Sequence, residues 1–245
     1  GAASVSRIDY GYDEDWTFVG FHPFEYSSTD RYLRDRDTIS LELRLRNDEN
    51  GRLLGGRADW LAGVYFHERE VDLTRLYTFL PGPFTSAYET RRLAAFGELR
   101  TDLSDHLRFV AGLRHERRDD GYADSEGVAF DPEEGLWGGR VGLELDIGEN
   151  LLAFVTSARG YKAGGFNTDG TLDADLRRFD SESVWNHELG LKGRFADGAF
   201  GARLALFWMD RSDQQVATSE VRERADGSAE FIDFVGNAAE GTNHG

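Results

Sequence analysis

Side chains capable of chemistry are plentiful in this 245-residue chain, but their spacing sets them no shared task. Six histidines stand at 22, 67, 106, 115, 187 and 244, too dispersed to pair as metal ligands, and neither a His-Glu-x-x-His helix nor a Gly-x-Ser-x-Gly nucleophile turn occurs. Cysteine is absent, which removes thiolate metal sites and disulfide staples together. Adjacent carboxylates such as Asp119 and Asp120, or Glu133 and Glu134, are too common among 45 acidic residues for proximity to nominate a glycosidase pair. The segment Asn167–Asp175 has oxygen donors enough for calcium but lacks the closing Glu of an EF-hand loop. These patterns predict no enzyme, no metal site and no cofactor.

Two stretches stand out for composition instead. Ser157-Ala-Arg-Gly-Tyr-Lys-Ala-Gly-Gly-Phe-Asn167 sets three glycines beside Arg159, Tyr161, Lys162 and Phe166 at the end of an apolar run. A phosphate-cradling loop would need Gly-x(4)-Gly-Lys-Ser/Thr and a following helix, and neither is present. Gly160, Gly164 and Gly165 are expected where a strand meets its rim and bends, or where another backbone comes close. The second stretch, Trp16–Tyr26, carries five aromatics in eleven residues, and Trp16, Phe21, Phe24 and Tyr26, together with Tyr88 and Phe166, are the candidate ligand contacts.

The elements that would hold these residues have a period of two. Ile39, Leu41, Leu43 and Leu45 alternate with Ser40, Glu42, Arg44 and Arg46; Leu107 to Leu113 alternates with Arg108 to Arg114; Trp185, Leu189 and Leu191 alternate with Asn186, Glu188 and Lys192. With weaker cases this predicts about ten strands, near 4–12, 37–47, 58–68, 90–102, 106–117, 137–147, 150–163, 183–195, 199–210 and 229–236. Connections alternate, long near 13–36, 69–89, 118–136, 164–182 and 211–228 and short between them, as in a membrane barrel with long loops on one rim and tight turns on the other. The fold class is therefore all-β, an antiparallel up-and-down meander.

Arg and Glu recur on the polar face, so the apolar face must meet lipid or a second sheet. Glu42, Arg44, Arg114, Glu188 and Lys192 are expected to face the lumen, with Ser157 and Arg159 on the same polar phase. Trp60, Trp137, Trp185 and Trp208, with His115 and His187 on the outward phase, suit an interfacial girdle. No run of 18 apolar residues exists for a spanning helix. The formal net charge of −17 argues against nucleic acid.

Five segments in consistent order resemble the barrel of TonB-dependent outer-membrane receptors. Ser157–Asn167 is similar to that family's barrel signature, carried here by Arg159, Gly160, Tyr161, Lys162, Gly164, Gly165, Phe166 and Asn167. Ile39–Leu45 resembles its SxELRL strand, Leu107–Glu116 its GLRxE ending, Trp185–Gly193 its WNxELGLKG strand, and Ala205–Gln215 its LFxMDxxDQQ strand. The resemblance implies part of a large plugged barrel in the bacterial outer membrane. It further implies a plug and a TonB contact lying outside residues 1–245, surrounding lipid and lipopolysaccharide, and a small-molecule cargo, a ferric siderophore or other metal chelate. A passive outer-membrane channel and a soluble all-β carbohydrate-active or carbohydrate-binding protein are the alternatives. In the receptor reading, Trp16–Tyr26, Leu76–Tyr88 and Arg118–Phe130 form the external rim, Gly164 and Gly165 lie on it, and the loop to Glu182 faces solvent.

Overall fold

The alternation seen in the sequence becomes one curved antiparallel wall. The computed structural model describes residues 1–15, 27–168, 172–224, 227 and 229–245. Its strands are β1 (Ala2–Asp15), β2 (Ser27–Arg46), β3 (Ala58–Tyr77), β4 (Phe84–Asp102), β5 (Leu107–Asp124), β6 (Ala129–Phe130), β7 (Glu133–Ile147), β8 (Leu151–Lys162), β9 (Gly165–Phe166), β10 (Arg178–Phe179), β11 (Glu182–Phe195), β12 (Phe200–Glu223) and β13 (Ala229–His244). The ten long strands pair in chain order from β1 to β13, β6 adds to β5, and β9 and β10 make a separate pair. All ten strands expected from the alternation are present, and the path ends in unpaired outer edges at β1 and β13, so the sheet is not closed.

Register assigns the faces, because directly paired residues of an antiparallel sheet share one side. Leu43 pairs with Val64, Val64 with Ala95, and Ala95 with His115. Further along the wall, Leu143 pairs with Val155, Val155 with Leu189, and Leu189 with Leu206. This face carries Leu43, Leu113 and Leu204, each more than 60% exposed. Burial of apolar area cannot hold such a surface in water; it is the lipid-facing side of a barrel wall. The other face runs Arg44–Gly63–Phe96–Arg114–Gly138 across β2, β3, β4, β5 and β7.

Tight turns join the strands at one rim. In the β2–β3 connection Asp48 Oδ1 accepts from the backbone N–H of Asn50 and Gly51, and in the β4–β5 turn Ser104 Oγ accepts from those of His106 and Leu107. At the opposite rim the structure departs from expectation. Much of what read as long loop is paired strand: β2 begins at Ser27, β3 runs to Tyr77, β5 to Asp124 and β12 to Glu223. A barrel strand needs only about 9–11 residues to cross a bilayer, so these hairpins stand well clear of it. The expected rim loops Leu76–Tyr88 and Arg118–Phe130 are thus mostly strand, and Trp16–Tyr26 lies outside the described residues.

Candidate functional site

The glycine-rich stretch turns inward. After β8 the chain leaves the wall and rejoins it at β11, and between them residues 163–168 and 172–181 lie over the concave face, held to β4 and β5 and also to β12 and β13. Phe166 on β9 stacks on Tyr122 at 5.0 Å and meets the Tyr88 ring edge-on at 5.3 Å, with Phe130 at 5.7 Å. Tyr88 and Phe166, two expected ligand contacts, are therefore together. Trp16, Phe21, Phe24 and Tyr26 belong to the segment outside the described residues.

Gly164 and Gly165 are required by close approach. A Cβ on Gly164 would stand 2.6 Å from the Phe179 backbone oxygen, and one on Gly165 would stand 2.7 Å from the Phe179 ring. Arg118 on β5 fixes the turn: it donates to the Gly164 carbonyl at 2.5 Å and to the Tyr88 hydroxyl at 2.6 Å, and pairs with Asp120 at 2.7 Å. Asn167 ties the segment to β13, donating through Nδ2 to the Leu176 and Val235 carbonyls and accepting from the Val235 N–H at 3.0 Å. Gln215 on β12 donates to the carbonyls of Ala163 and Asp180, both at 2.9 Å.

Arg177 is the most buried of the described strap residues, 1% exposed. It pairs with Asp124 and Glu126, donates to the Leu172 carbonyl and lies over the Phe84 ring. Burial lowers the pKa of its guanidinium, with the Tyr122 hydroxyl opposing, yet an arginine stays a cation here. The expectation of a solvent-facing loop after Gly165 is corrected accordingly: Asp173 and Asp175 are exposed, but Leu172 and Arg177 are buried, because the segment packs on the wall.

The signature residues divide between the two faces. Tyr161 reaches inward. β7 and β8 part above the Gly139–Arg159 pair, the Tyr161 ring lies against Gly138, and its hydroxyl accepts from Arg114 at 3.0 Å and donates to Glu116 at 3.2 Å. Arg159 does not share that side. Register pairs it with Trp185, it donates to the Trp137 carbonyl, and its guanidinium sits 4.3 Å from the Trp137 ring centre. Ser157 and Arg159 are thus on the outward face, not the polar phase expected for them. Trp137 and Trp185 meet edge-on at 5.9 Å there, and His187 stacks on Trp185. Gly160 pairs with Val184 and the exposed Lys162 with Glu182.

Below the strap lies an open recess of about 1020 Å³ lined by Arg44, Phe96, Arg114, Glu116, Arg140 and Tyr161. Its charges pair across and along strands: Arg44 with Glu42 at 2.5 Å, Arg114 with Glu116 at 2.6 Å and Arg140 with Glu98 at 2.7 Å. Glu188 pairs with Arg203 at 2.9 Å, while Lys192 has no ion pair among the described residues. Among the described residues no three His, Asp or Glu side chains converge as metal ligands. The recess can hold polar or ionic groups.

Residues 3–245 match the family model of the TonB-dependent receptor-like β-barrel. The chain belongs to that family. It is 28% identical over 188 residues to the pesticin receptor of Yersinia pestis, covering 73% of this chain and 28% of that protein. The solved ferric yersiniabactin uptake receptor of Yersinia pestis superposes with a TM-score of 0.60 at 22% identity, over 78% of this chain and 30% of the receptor. The ferripyoverdine receptor of the outer membrane of Pseudomonas aeruginosa gives a TM-score of 0.58 at 13% identity, over 88% and 31%. The chain thus spans under a third of each relative, as part of an outer-membrane receptor barrel, and the exposed aliphatic face is its contact with that membrane.

Two contributors to the site were missed in the sequence, Arg118 and Arg177. Arg118 follows another arginine, and Arg177 precedes one, so neither stood apart from a solvated charge pair.

Proposed function

We propose that residues 1–245 form one stretch of the wall of a receptor that binds a scarce nutrient outside the cell, a ferric siderophore, and imports it with energy delivered by TonB. The plug, the TonB contact and further barrel strands would belong to the rest of the protein. The observation that carries the reading is the strap. A segment bearing the family signature folds over the concave face and holds an aromatic cluster against the upper ends of β4 and β5. A passive channel can also carry an inward-folded loop, so the strap is read together with the match of residues 3–245 to the receptor family. The receptor names among the relatives support iron chelates as the cargo class, and the pairable Arg and Glu of the inner face suit a wall against which a plug moves.

The test uses the full-length receptor in cells. Radiolabelled ferric chelate should bind with or without a working TonB system, and should accumulate only with it. Accumulation that survives loss of TonB and follows the concentration gradient would establish the channel instead. Replacing Tyr88 and Phe166 by alanine should weaken binding, whereas shortening the opposite-rim turn at 148–150 should leave it unchanged.

A further inference from the structure

The tight turns of the lower rim are not alike. Gly148-Glu149-Asn150 and Asp197-Gly198-Ala199 carry no large apolar side chain. The β2–β3 connection, residues 47–57, presents Leu53 and Leu54, 50% and 67% exposed, and Leu103 in the neighbouring β4–β5 turn is half-exposed as well. Leu54 stands at φ +52, in the left-handed region, ahead of Gly55 and Gly56 at +69 and +89. Glycine or asparagine takes that conformation at less cost, so the backbone supplies no reason for a leucine there.

The turn is fastened to the lipid-facing side of the wall. Ala58 and Trp60 lie on that side by alternation from Val64, and Leu53, bridged to Ala58, shares it. Trp60 Nε1 donates to the Gly51 carbonyl at 3.1 Å, and Leu53 and Ala58 exchange backbone hydrogen bonds of 2.8 and 3.1 Å. Ala58 is fully buried, and so nearly is Thr101, its partner on β4. From the concave side Arg52 braces the loop through Asp59 at 3.0 Å and Asp102 at 3.3 Å. Leu103 continues the outward phase of Leu99 and Thr101, and its N–H donates to the Leu107 carbonyl at 2.8 Å.

Depth selects the occupant. Going up β3 from Ala58, the first charge on the outward side is Glu68, which pairs with Ile39. The rise between them is about 33 Å along the strand, and a tilt of about 40° reduces it to about 25 Å, the height of the apolar band of a membrane barrel. With Glu68 at the upper boundary, Ala58 and Leu53 fall at the lower one, where a tryptophan indole such as that of Trp60 is favoured. Short turns of such barrels lie on the periplasmic side. Leucines left in water there would be unfavourable, whereas acyl chains at that depth bury them. Arg57, exposed and without an ion pair among the described residues, follows on a stem long enough to reach lipid phosphate.

We propose that the β2–β3 turn is a foot set into the periplasmic leaflet of the outer membrane, with Leu53 and Leu54, beside Leu103, among the phospholipid acyl chains. The contact is made by a turn, beyond the strands that line the lipid.

The test places a single cysteine in the full-length receptor, at Leu54→Cys or, as reference, at Glu149→Cys in the β7–β8 turn, with any cysteine beyond residues 1–245 replaced by serine. Each variant is labelled with a nitrobenzoxadiazole dye and folded into vesicles of phosphatidylethanolamine and phosphatidylglycerol. Phospholipid carrying a nitroxide near its headgroup should quench the dye at 54 about twofold or more over that at 149, and aqueous iodide should quench it less. Equal access of iodide to both positions overturns the proposal. A dye at 54 that neither quencher reaches overturns it too, because protein then covers the turn. Leu54→Asn tolerates the left-handed backbone and removes the apolar group, so it should lower the urea midpoint of folding into these vesicles, while Leu54→Met retains it. A midpoint that asparagine leaves unchanged or raises means that residue 54 faces water, and also overturns the proposal.

Discussion

Leu43 sits between Leu41 and Leu45 on the outward face, with 61% of its surface open in the isolated wall. Leu43→Arg should destabilise the folded receptor by about 2–4 kcal/mol, the cost of a guanidinium on the lipid side near mid-depth. Reversible folding of the full-length protein into lipid vesicles measures it, and an unchanged folding free energy would place that face elsewhere. The two strap glycines should respond unequally to alanine. A Cβ on Gly164 meets a backbone oxygen, which cannot step aside, while one on Gly165 meets a ring that can. Gly164→Ala should therefore expose the strap to protease more than Gly165→Ala, and the reverse order would show that the ring is the fixed partner. The facing of β2, β5 and β11 was legible because aliphatic and charged residues alternate strictly. Arg159 was misread for the opposite reason. β8 begins Leu151-Leu-Ala-Phe-Val155, apolar on both faces, with Phe154 packed inward against Gly190, so no phase could be carried up the strand.

Hairpin height was hidden by the same physics on a larger scale. Where a strand has lipid on one side its pattern alternates; above the membrane both faces can meet water, and the alternation lapses although the ladder continues. Residues 27–36 of β2 and 211–223 of β12 read as loop for that reason, and the register shows them paired throughout most of their length. The inward course of residues 163–168 and 172–181 was likewise not legible, since its anchors come from β5, β12 and β13, remote in sequence. Its attachment is testable by element. Arg177→Gln removes the charge from the pairing with Asp124 and Glu126, and Asn167→Ala releases the link to Val235. Each should raise amide hydrogen exchange across residues 163–181 with little change in β2 or β3. Exchange that rises evenly through the wall would mean that the strap is not a separate unit.

The whole wall has two bare edges and an aliphatic exterior. β1 and β13 each offer one unpaired row of backbone donors and acceptors, a template for adding strands. Residues 1–245 expressed alone should accordingly associate or require detergent, as light scattering with and without micelles would show. A clear monomer in plain buffer would contradict the facing derived above.

The strap also has a mechanical meaning. It works as a chord across an arc: it is tied to β5 through Arg118 and Arg177, and to β12 and β13 through Gln215 and Asn167. An arc held by a chord keeps its radius as a strung bow does, and load on the string is shared by both limbs. The glycines that let the chain turn inward thus also let distant strands of the wall be tied to one another.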